Sequence, residues 1–128
     1  MTRVVVDASA FAALVFQEPL GAAVRDRLNR ATVFAPTLLR YELANVAWKK
    51  AKRQPADAAR ILDALTLALD GVWGIVWQDV QPVDVVLVAE ATGLTAYDAS
   101  YLWLAGSLGA DLVTLDAKIA AASGRLAA

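Results

Sequence analysis

The sequence contains no histidine and no cysteine in its 128 residues. These absences exclude a Ser-His-Asp triad, a cysteine nucleophile, a histidine general base and a zinc site with nitrogen or sulfur ligands. Carboxylates are the reactive groups that remain. Because clustered carboxylates repel one another, they are held together most readily by a hard divalent cation such as Mg²⁺ or Mn²⁺. The composition therefore favours a metal-dependent enzyme that acts on phosphate.

Long apolar runs are also missing. The longest stretch without Asp, Glu, Lys or Arg runs from Ala99 to Ala110, whereas about 20 apolar residues are needed to cross a bilayer. The first residues, Met1 to Asp7, contain no apolar segment of signal-peptide length. We therefore expect a cytoplasmic protein with no membrane partner, which agrees with the lack of cysteine.

Apolar residues, by contrast, are in excess. Hydrophobic residues make up 59% of the chain, and the mean hydropathy is +0.49. The length suits one domain, so we predict that residues 1–128 form a single unit. So much apolar surface predicts a protein partner or a homodimer. The net charge of −1 predicts that any nucleic acid is bound through a local patch and metal ions.

Strand-like segments alternate with helical segments along the chain. Short apolar runs predict strands at residues 4–6, 32–34, 72–77 and 111–115, although Gly74 weakens the third. Helices are predicted at residues 7–16, 20–29, 36–53, 57–69, 82–91 and 97–108, with a last short helix from residue 116. This alternation predicts an α/β domain with a parallel sheet.

Four carboxylates stand beside or inside these segments. Asp7 and Asp116 each follow an apolar strand, Glu42 lies on the third predicted helix, and Asp98 begins the sixth. Ligands of open parallel sheets bind at the carboxyl ends of the strands, where acids from four segments can meet. Taken singly, the three aspartates could instead be helix N-caps, and Glu42 could be a solvated helix residue. The neighbours of Glu42 are largely apolar, however, and a lone carboxylate would be expensive to bury there.

Four short segments together resemble the signature segments of PIN-domain ribonucleases. They are Val-Val-Val-Asp-Ala-Ser at 4–9, Glu-Leu-Ala-Asn at 42–45, Thr-Ala-Tyr-Asp-Ala-Ser-Tyr at 95–101 and Leu-Val-Thr-Leu-Asp at 112–116. The order and spacing match over essentially the whole chain, and the short form resembles the VapC toxins of toxin–antitoxin pairs. The resemblance implies a three-layer α/β/α domain with a central, mainly parallel sheet of four to five strands and an acidic pocket for Mg²⁺ or Mn²⁺.

The resemblance also implies roles for individual residues. The catalytic and metal-binding acids would be Asp7, Glu42, Asp98 and Asp116, supported by the polar residues Ser9, Asn45 and Thr114. The activity implied is that of an endoribonuclease toxin that hydrolyses RNA phosphodiester bonds with a metal-activated water, leaves a 5′-phosphate and a 3′-hydroxyl, and is restrained by a cognate antitoxin.

Two other classes of function are alternatives to this hypothesis. The first is a non-catalytic module that binds metal together with RNA or an antitoxin, although the presence of all four acids argues against it. The second is a receiver-like phosphotransfer domain, which also carries acids at strand ends. That domain needs a second acid beside Asp7, and the segment from Met1 to Val6 contains none.

Basic residues are concentrated at the end of the third predicted helix. The run consists of Lys49, Lys50, Lys52 and Arg53. It could bind RNA phosphates beside the acids, but cations near a helix C-terminus also complement the helix dipole, and we favour that explanation. The individual candidates for RNA contact are Arg40, Lys49 and Lys118, with Arg3 as a lesser one.

Aromatic residues offer two further hypotheses. The four tryptophans, Trp48, Trp73, Trp77 and Trp103, could stack on unpaired bases. Their apolar surroundings instead predict core or interface positions. The segment 11–28 could form a groove for an antitoxin helix or a dimer partner, although core packing explains most of its apolar residues.

Overall fold

Four short apolar segments form one parallel sheet in the middle of the protein. The computed structural model describes the backbone of residues 2–127 and the side chains of residues 2–124. The described strands are β1 (Thr2–Val6), β2 (Ala31–Pro36), β3 (Val76–Gln78) and β4 (Asp111–Val113), in the spatial order β3-β2-β1-β4. All three strand pairs are parallel. The carboxyl ends of the strands therefore meet at one edge of the sheet.

Seven α-helices connect and follow the strands within the described residues. They are α1 (Ala8–Val15), α2 (Gly21–Asn29), α3 (Leu38–Arg53), α4 (Ala58–Leu69), α5 (Pro82–Thr92), α6 (Ala96–Leu108) and α7 (Ala117–Ala127). A short 3₁₀ turn, Pro55–Asp57, separates α3 from α4. No described helix is long and apolar enough to span a bilayer.

The helices form layers on the two faces of the sheet. The chain runs from β1 through β2 to β3 in one direction and then returns across the sheet to β4. Because such crossovers are right-handed, α1–α4 lie on one face and α5 and α6 on the other. The contacts agree: α2 and α3 touch β2, whereas α6 touches β1, β2 and β4 and is flanked by α5 and α7. The predicted three-layer α/β/α fold is confirmed.

The central strand, β1, is apolar at every position from Val4 to Val6 because it is covered on both faces. Val4, Val5 and Val6 on β1 are all at most 1% exposed because helices cover both faces. Phe11 on α1 packs into the same core from one side and Leu104 on α6 from the other. The backbone of β1 is therefore held rigidly from both faces of the sheet. This fixes the position of Asp7, the residue that follows the strand.

The third and fourth strands differ from their predicted bounds. The prediction of a strand at 72–77 is wrong over residues 72–75, because Gly71 and Gly74 adopt φ of +89° and +62° and form a turn that extended backbone cannot continue. β3 therefore begins only at Val76. The fourth strand ends at Val113 rather than at residue 115, because the next residues turn to contact the first strand's end.

Candidate active site

Asp7 lies at the carboxyl end of β1 and begins α1. It is 1% exposed, and its side chain caps the helix, since Oδ1 accepts a hydrogen bond from the Ala10 N–H at 3.0 Å. Ser9 Oγ donates to the same oxygen at 2.7 Å, and the Thr114 hydroxyl donates to Oδ2. Three donors thus fix both oxygens of one buried carboxylate, so Asp7 is at once a helix cap and a rigid element of the site.

The turn after β4 is tied to the end of β1 by the same two hydroxyls. Ser9 Oγ accepts from the Leu115 N–H, and Thr114 Oγ1 accepts from the Asp116 N–H, both at 3.0 Å. Asp116 in turn accepts at Oδ1 from the backbone N–H groups of Lys118 and Ile119, at 2.8 and 3.0 Å. Asp116 therefore caps α7 beside Asp7, and the two hydroxyls set the distance between the strand ends.

Glu42 and Asp98 approach from the helices on opposite faces of the sheet. Glu42 is half-buried on α3 and accepts a hydrogen bond from the Tyr101 hydroxyl of α6. Asp98 lies in the first turn of α6. It does not cap that helix, because Thr95 does so by accepting from the Asp98 N–H at 3.1 Å. The carboxylate of Asp98 is therefore left facing the acids.

The four acids line one small cavity at the carboxyl edge of the sheet. Its volume is about 140 Å³, and it is lined by Asp7, Ala8, Ser9, Glu42, Asp98, Tyr101, Asp116 and Ile119. We call it the acidic pocket. It contains acids from β1, α3, α6 and the turn after β4, so segments far apart in sequence converge as parallel-sheet topology requires.

Burial and mutual repulsion both disfavour negative charge in the acidic pocket. Burial raises the pKa of Asp7, and hydrogen bonds from Thr114, Ala10 and Ser9 oppose this shift. The pKa of Glu42 is raised by burial and by the charges of Asp98 and Asp7, against the effect of its hydrogen bond. The pKa of Asp98 is also raised, first by burial and then by the charges of Asp116 and Asp7. A bound cation would relieve the cost of ionising all three.

The donor chemistry of the pocket fits a hard divalent cation. Its acids present only oxygen ligands, which suits Mg²⁺ or Mn²⁺ and does not suit zinc with nitrogen or sulfur ligands. Within the part of the chain that the structure describes, no group of three acids is placed closely enough to hold one ion directly. The convergence of four carboxylates on one cavity, rather than a ready-made coordination geometry, is thus the observation that fits a cation.

The remaining predicted site residues lie at varied distances from the pocket. Ser9 lines it and Thr114 bonds to it, whereas Asn45 is exposed on α3 and does not line it. Lys118 is close enough to lower the pKa of Asp98, although burial dominates that shift. Arg40 lies 4.4 Å from the centre of the Trp77 ring.

The basic run is divided between different contacts. Lys50 forms an ion pair with Glu18, with 3.1 Å between Nζ and Oε1, and Lys49 is exposed farther along α3. Lys52 lies 5.3 Å from the centre of the Trp48 ring. Three of these cations, Lys50, Lys52 and Arg53, lie in the last turn of α3, where they complement its dipole.

Three of the four tryptophans, Trp73, Trp77 and Trp103, pack against the core. Trp48 is 60% exposed on α3, so it does not lie in the core, and the interface position that was also expected stays a prediction. In the segment 11–28, Phe11, Leu14 and Val24 are buried in the core, and Leu20 is 57% exposed. Core packing therefore accounts for most of that segment.

Tyr101 is the site residue that sequence reasoning missed. Its position one turn after Asp98 placed it on the same helix face, but a tyrosine in an apolar helix gives no sign that its hydroxyl meets a carboxylate 59 residues away. The fold and the pocket together define a class of protein: α/β/α domains with clustered carboxylates at the carboxyl ends of parallel strands.

Comparison with known proteins shows which family within this class the chain belongs to. The family model described as "PIN domain" matches residues 4–124. The chain is 33% identical over 122 residues to "Ribonuclease VapC3" of Pyrobaculum aerophilum, covering 92% of each chain. It is 42% identical over 82 residues to "Exonuclease VapC9" of the same organism, covering 63% of this chain and 59% of that relative. The chain belongs to the PIN-domain family.

A solved structure supports the same assignment. The chain resembles the crystal structure of PAE2754 from Pyrobaculum aerophilum with a TM-score of 0.78 and 31% sequence identity, over 95% of this chain and 85% of that one. The resemblance inferred from the four short segments is therefore confirmed at the level of the family and the fold.

Proposed function

We propose that this chain is a metal-dependent endoribonuclease that acts as the toxin of a toxin–antitoxin pair. The observation that carries the proposal is the convergence of Asp7, Glu42, Asp98 and Asp116 in one pocket at the carboxyl edge of the sheet. Membership of the PIN-domain family and the names of the VapC relatives, a ribonuclease and an exonuclease, support nuclease activity.

The four acids of the pocket would hold Mg²⁺ or Mn²⁺. When bound, such an ion supplies an activated water near neutral pH and neutralises charge on the phosphodiester. The protein contributes rigidity: Asp7 is fixed by three donors, and Asp116 is fixed as a helix cap. Ser9 and Thr114 hold these two acids in fixed positions relative to each other and serve as the supporting polar residues.

RNA would reach the pocket past scattered cations rather than along one basic surface. Lys118 is the nearest candidate for phosphate contact, because its charge already acts on Asp98. Arg40 and Lys49 on α3 are exposed and do not line the pocket, which makes them weaker candidates, and Asn45 would act from the exposed part of α3 beside Glu42.

The proposed protein partners are a cognate antitoxin and a second copy of the chain. Val83, Val86 and Leu87 on α5 are 75%, 55% and 60% exposed, an apolar face that favours association. Sedimentation of the wild type and of Leu87→Lys tests the homodimer. We expect the wild type to sediment as a dimer and Leu87→Lys as a monomer. A wild type that sediments as a monomer would contradict the proposed homodimer.

Incubation of a total RNA pool with the purified chain tests the activity directly. We expect cuts that need Mg²⁺ or Mn²⁺, disappear with EDTA, and leave 5′-phosphate ends at few sites. Because one relative is named an exonuclease, a circular RNA is included, which only an endonuclease can open. Intact RNA after incubation with folded, antitoxin-free protein would favour the alternative of a non-catalytic module that binds metal and RNA or antitoxin.

A further inference from the structure

Tyr101 links the two helical layers through the acidic pocket. It is 1% exposed and lies on α6, one turn after Asp98. Its hydroxyl donates a hydrogen bond to Oε1 of Glu42 on α3. A buried tyrosine hydroxyl needs a partner, and here that partner is one of the four acids. The hydrogen bond therefore either serves only to satisfy the buried Tyr101 hydroxyl, or it positions Glu42 for its role in the pocket.

Glu42 needs an anchor more than Asp7 or Asp116 does. Asp7 is held by three donors and Asp116 by two backbone N–H groups, and both have short side chains. Glutamate has an additional side-chain torsion, and the charges of Asp98 and Asp7 act on the Glu42 carboxylate. Repulsion by those charges would drive a mobile carboxylate out of the pocket toward water.

The Tyr101 hydroxyl is held in place by the packing of its own ring. Tyr101 is only 1% exposed, so the side chain has no room to turn toward water and away from Glu42. One carboxylate oxygen is engaged by this bond, while Glu42 also lines the cavity.

We propose that Tyr101 is a positioning residue, which holds the Glu42 carboxylate in the pocket against repulsion by Asp98 and Asp7 and so sets the affinity of the pocket for a divalent cation. The proposal rests on the proposed function, because it requires the pocket to bind such an ion. If Tyr101 were structural only, loss of its hydroxyl would change the stability of the fold and leave the affinity for the ion unchanged.

Titration of the full chain with Mn²⁺ in a calorimeter, without RNA, tests the proposal. Loss of a group that orients a metal ligand typically weakens metal binding 10- to 100-fold, and we expect a loss of at least about 10-fold in Tyr101→Phe. The matched control is Tyr41→Phe, which removes the hydroxyl of a tyrosine that is 73% exposed. Unchanged or tighter Mn²⁺ binding by Tyr101→Phe would overturn the proposal.

A double-mutant cycle shows whether Tyr101 acts through Glu42. In a Glu42→Gln background, we expect Tyr101→Phe to cause no further loss of the remaining Mn²⁺ affinity, because the carboxylate that it positions is absent. An undiminished 10-fold loss in that background would place the effect of Tyr101 elsewhere and overturn the proposal.

A measurement on the wild type keeps the proposal testable if Tyr101→Phe does not fold. The chain has three tyrosines, so ring-labelled tyrosine gives few NMR signals to follow. We expect the Tyr101 signal to shift when Mg²⁺ is added, and an unshifted Tyr101 signal at saturating Mg²⁺ would overturn the proposal. A wild type that binds neither ion refutes the proposed function and this inference with it, whereas normal binding by Tyr101→Phe refutes the inference alone.

Discussion

Replacement of Thr114 by valine removes one hydroxyl from the acidic pocket and nearly preserves the shape of the side chain. The Thr114 hydroxyl donates to Asp7 and accepts from the Asp116 N–H. The first of these bonds lowers the pKa of Asp7 and so opposes the effect of burial. Thr114→Val should therefore raise the pKa of Asp7 still further above its ordinary value.

The strength of the lost bond sets the size of the effect. A hydrogen bond to a charged group contributes roughly 1.5–3 kcal/mol. Loss of this bond therefore favours the protonated carboxyl of Asp7 and raises its pKa. The variant also leaves the Asp116 N–H without its acceptor, and the free energy of unfolding at pH 7 should fall by about 2 kcal/mol.

The assay is the dependence of kcat/KM for RNA cleavage on pH, which reports the ionisation of the free enzyme. We expect the acidic limb of the profile to move to higher pH in Thr114→Val. The control is Thr66→Val, which removes an exposed hydroxyl that bonds only within α4, to the Leu62 carbonyl at 3.0 Å. An acidic limb that stays in place in Thr114→Val would refute the reasoning about Asp7.

Three further predictions concern stability. Without metal, Asp7, Glu42 and Asp98 have raised pKa values, so the folded state binds more protons than the unfolded state. The free energy of unfolding should therefore fall as pH rises from 4 to 7, and a rise in chemical denaturation experiments would contradict this. Gly21→Ala should destabilise the fold by more than about 2 kcal/mol, because the new Cβ would lie 2.4 Å from the Ala13 carbonyl oxygen. Gly106→Ala should instead stabilise the fold, because a Cβ there would lie in open space on a helix. Thermal unfolding of the two variants tests both predictions. Thr95→Ala should cost about 1 kcal/mol by removing the cap of α6, and equal stability in urea titration would refute that role.

The sequence predicted most reliably those elements whose pattern has a single explanation. Three consecutive valines before Asp7 gave the central strand, because only a strand covered on both faces is apolar at every position. The segment 72–77 was also apolar, but positive φ at Gly71 and Gly74 breaks it, and a glycine pattern alone does not distinguish a strand interior from a turn.

The sequence predicted which residues form the candidate site, but not the contacts between them. Strand-end positions placed Asp7 and Asp116 together because parallel topology dictates it. A capping role for Asp98 was the alternative to a catalytic one, but Thr95, three residues earlier, caps α6. The partner of Glu42 depends on how α3 and α6 approach across the sheet edge, which no local pattern encodes.

The most direct test of the account is single-turnover cleavage of a mapped RNA by the wild type and by Asp98→Asn, with Mg²⁺ and with EDTA. A metal ion contributes several kcal/mol of transition-state stabilisation, so we expect the Asp98→Asn rate to fall at least about 100-fold. Asp63→Asn, an exposed acid on α4, should cleave at the wild-type rate. Cleavage that persists in EDTA, or an Asp98→Asn rate equal to that of the wild type, would contradict the account.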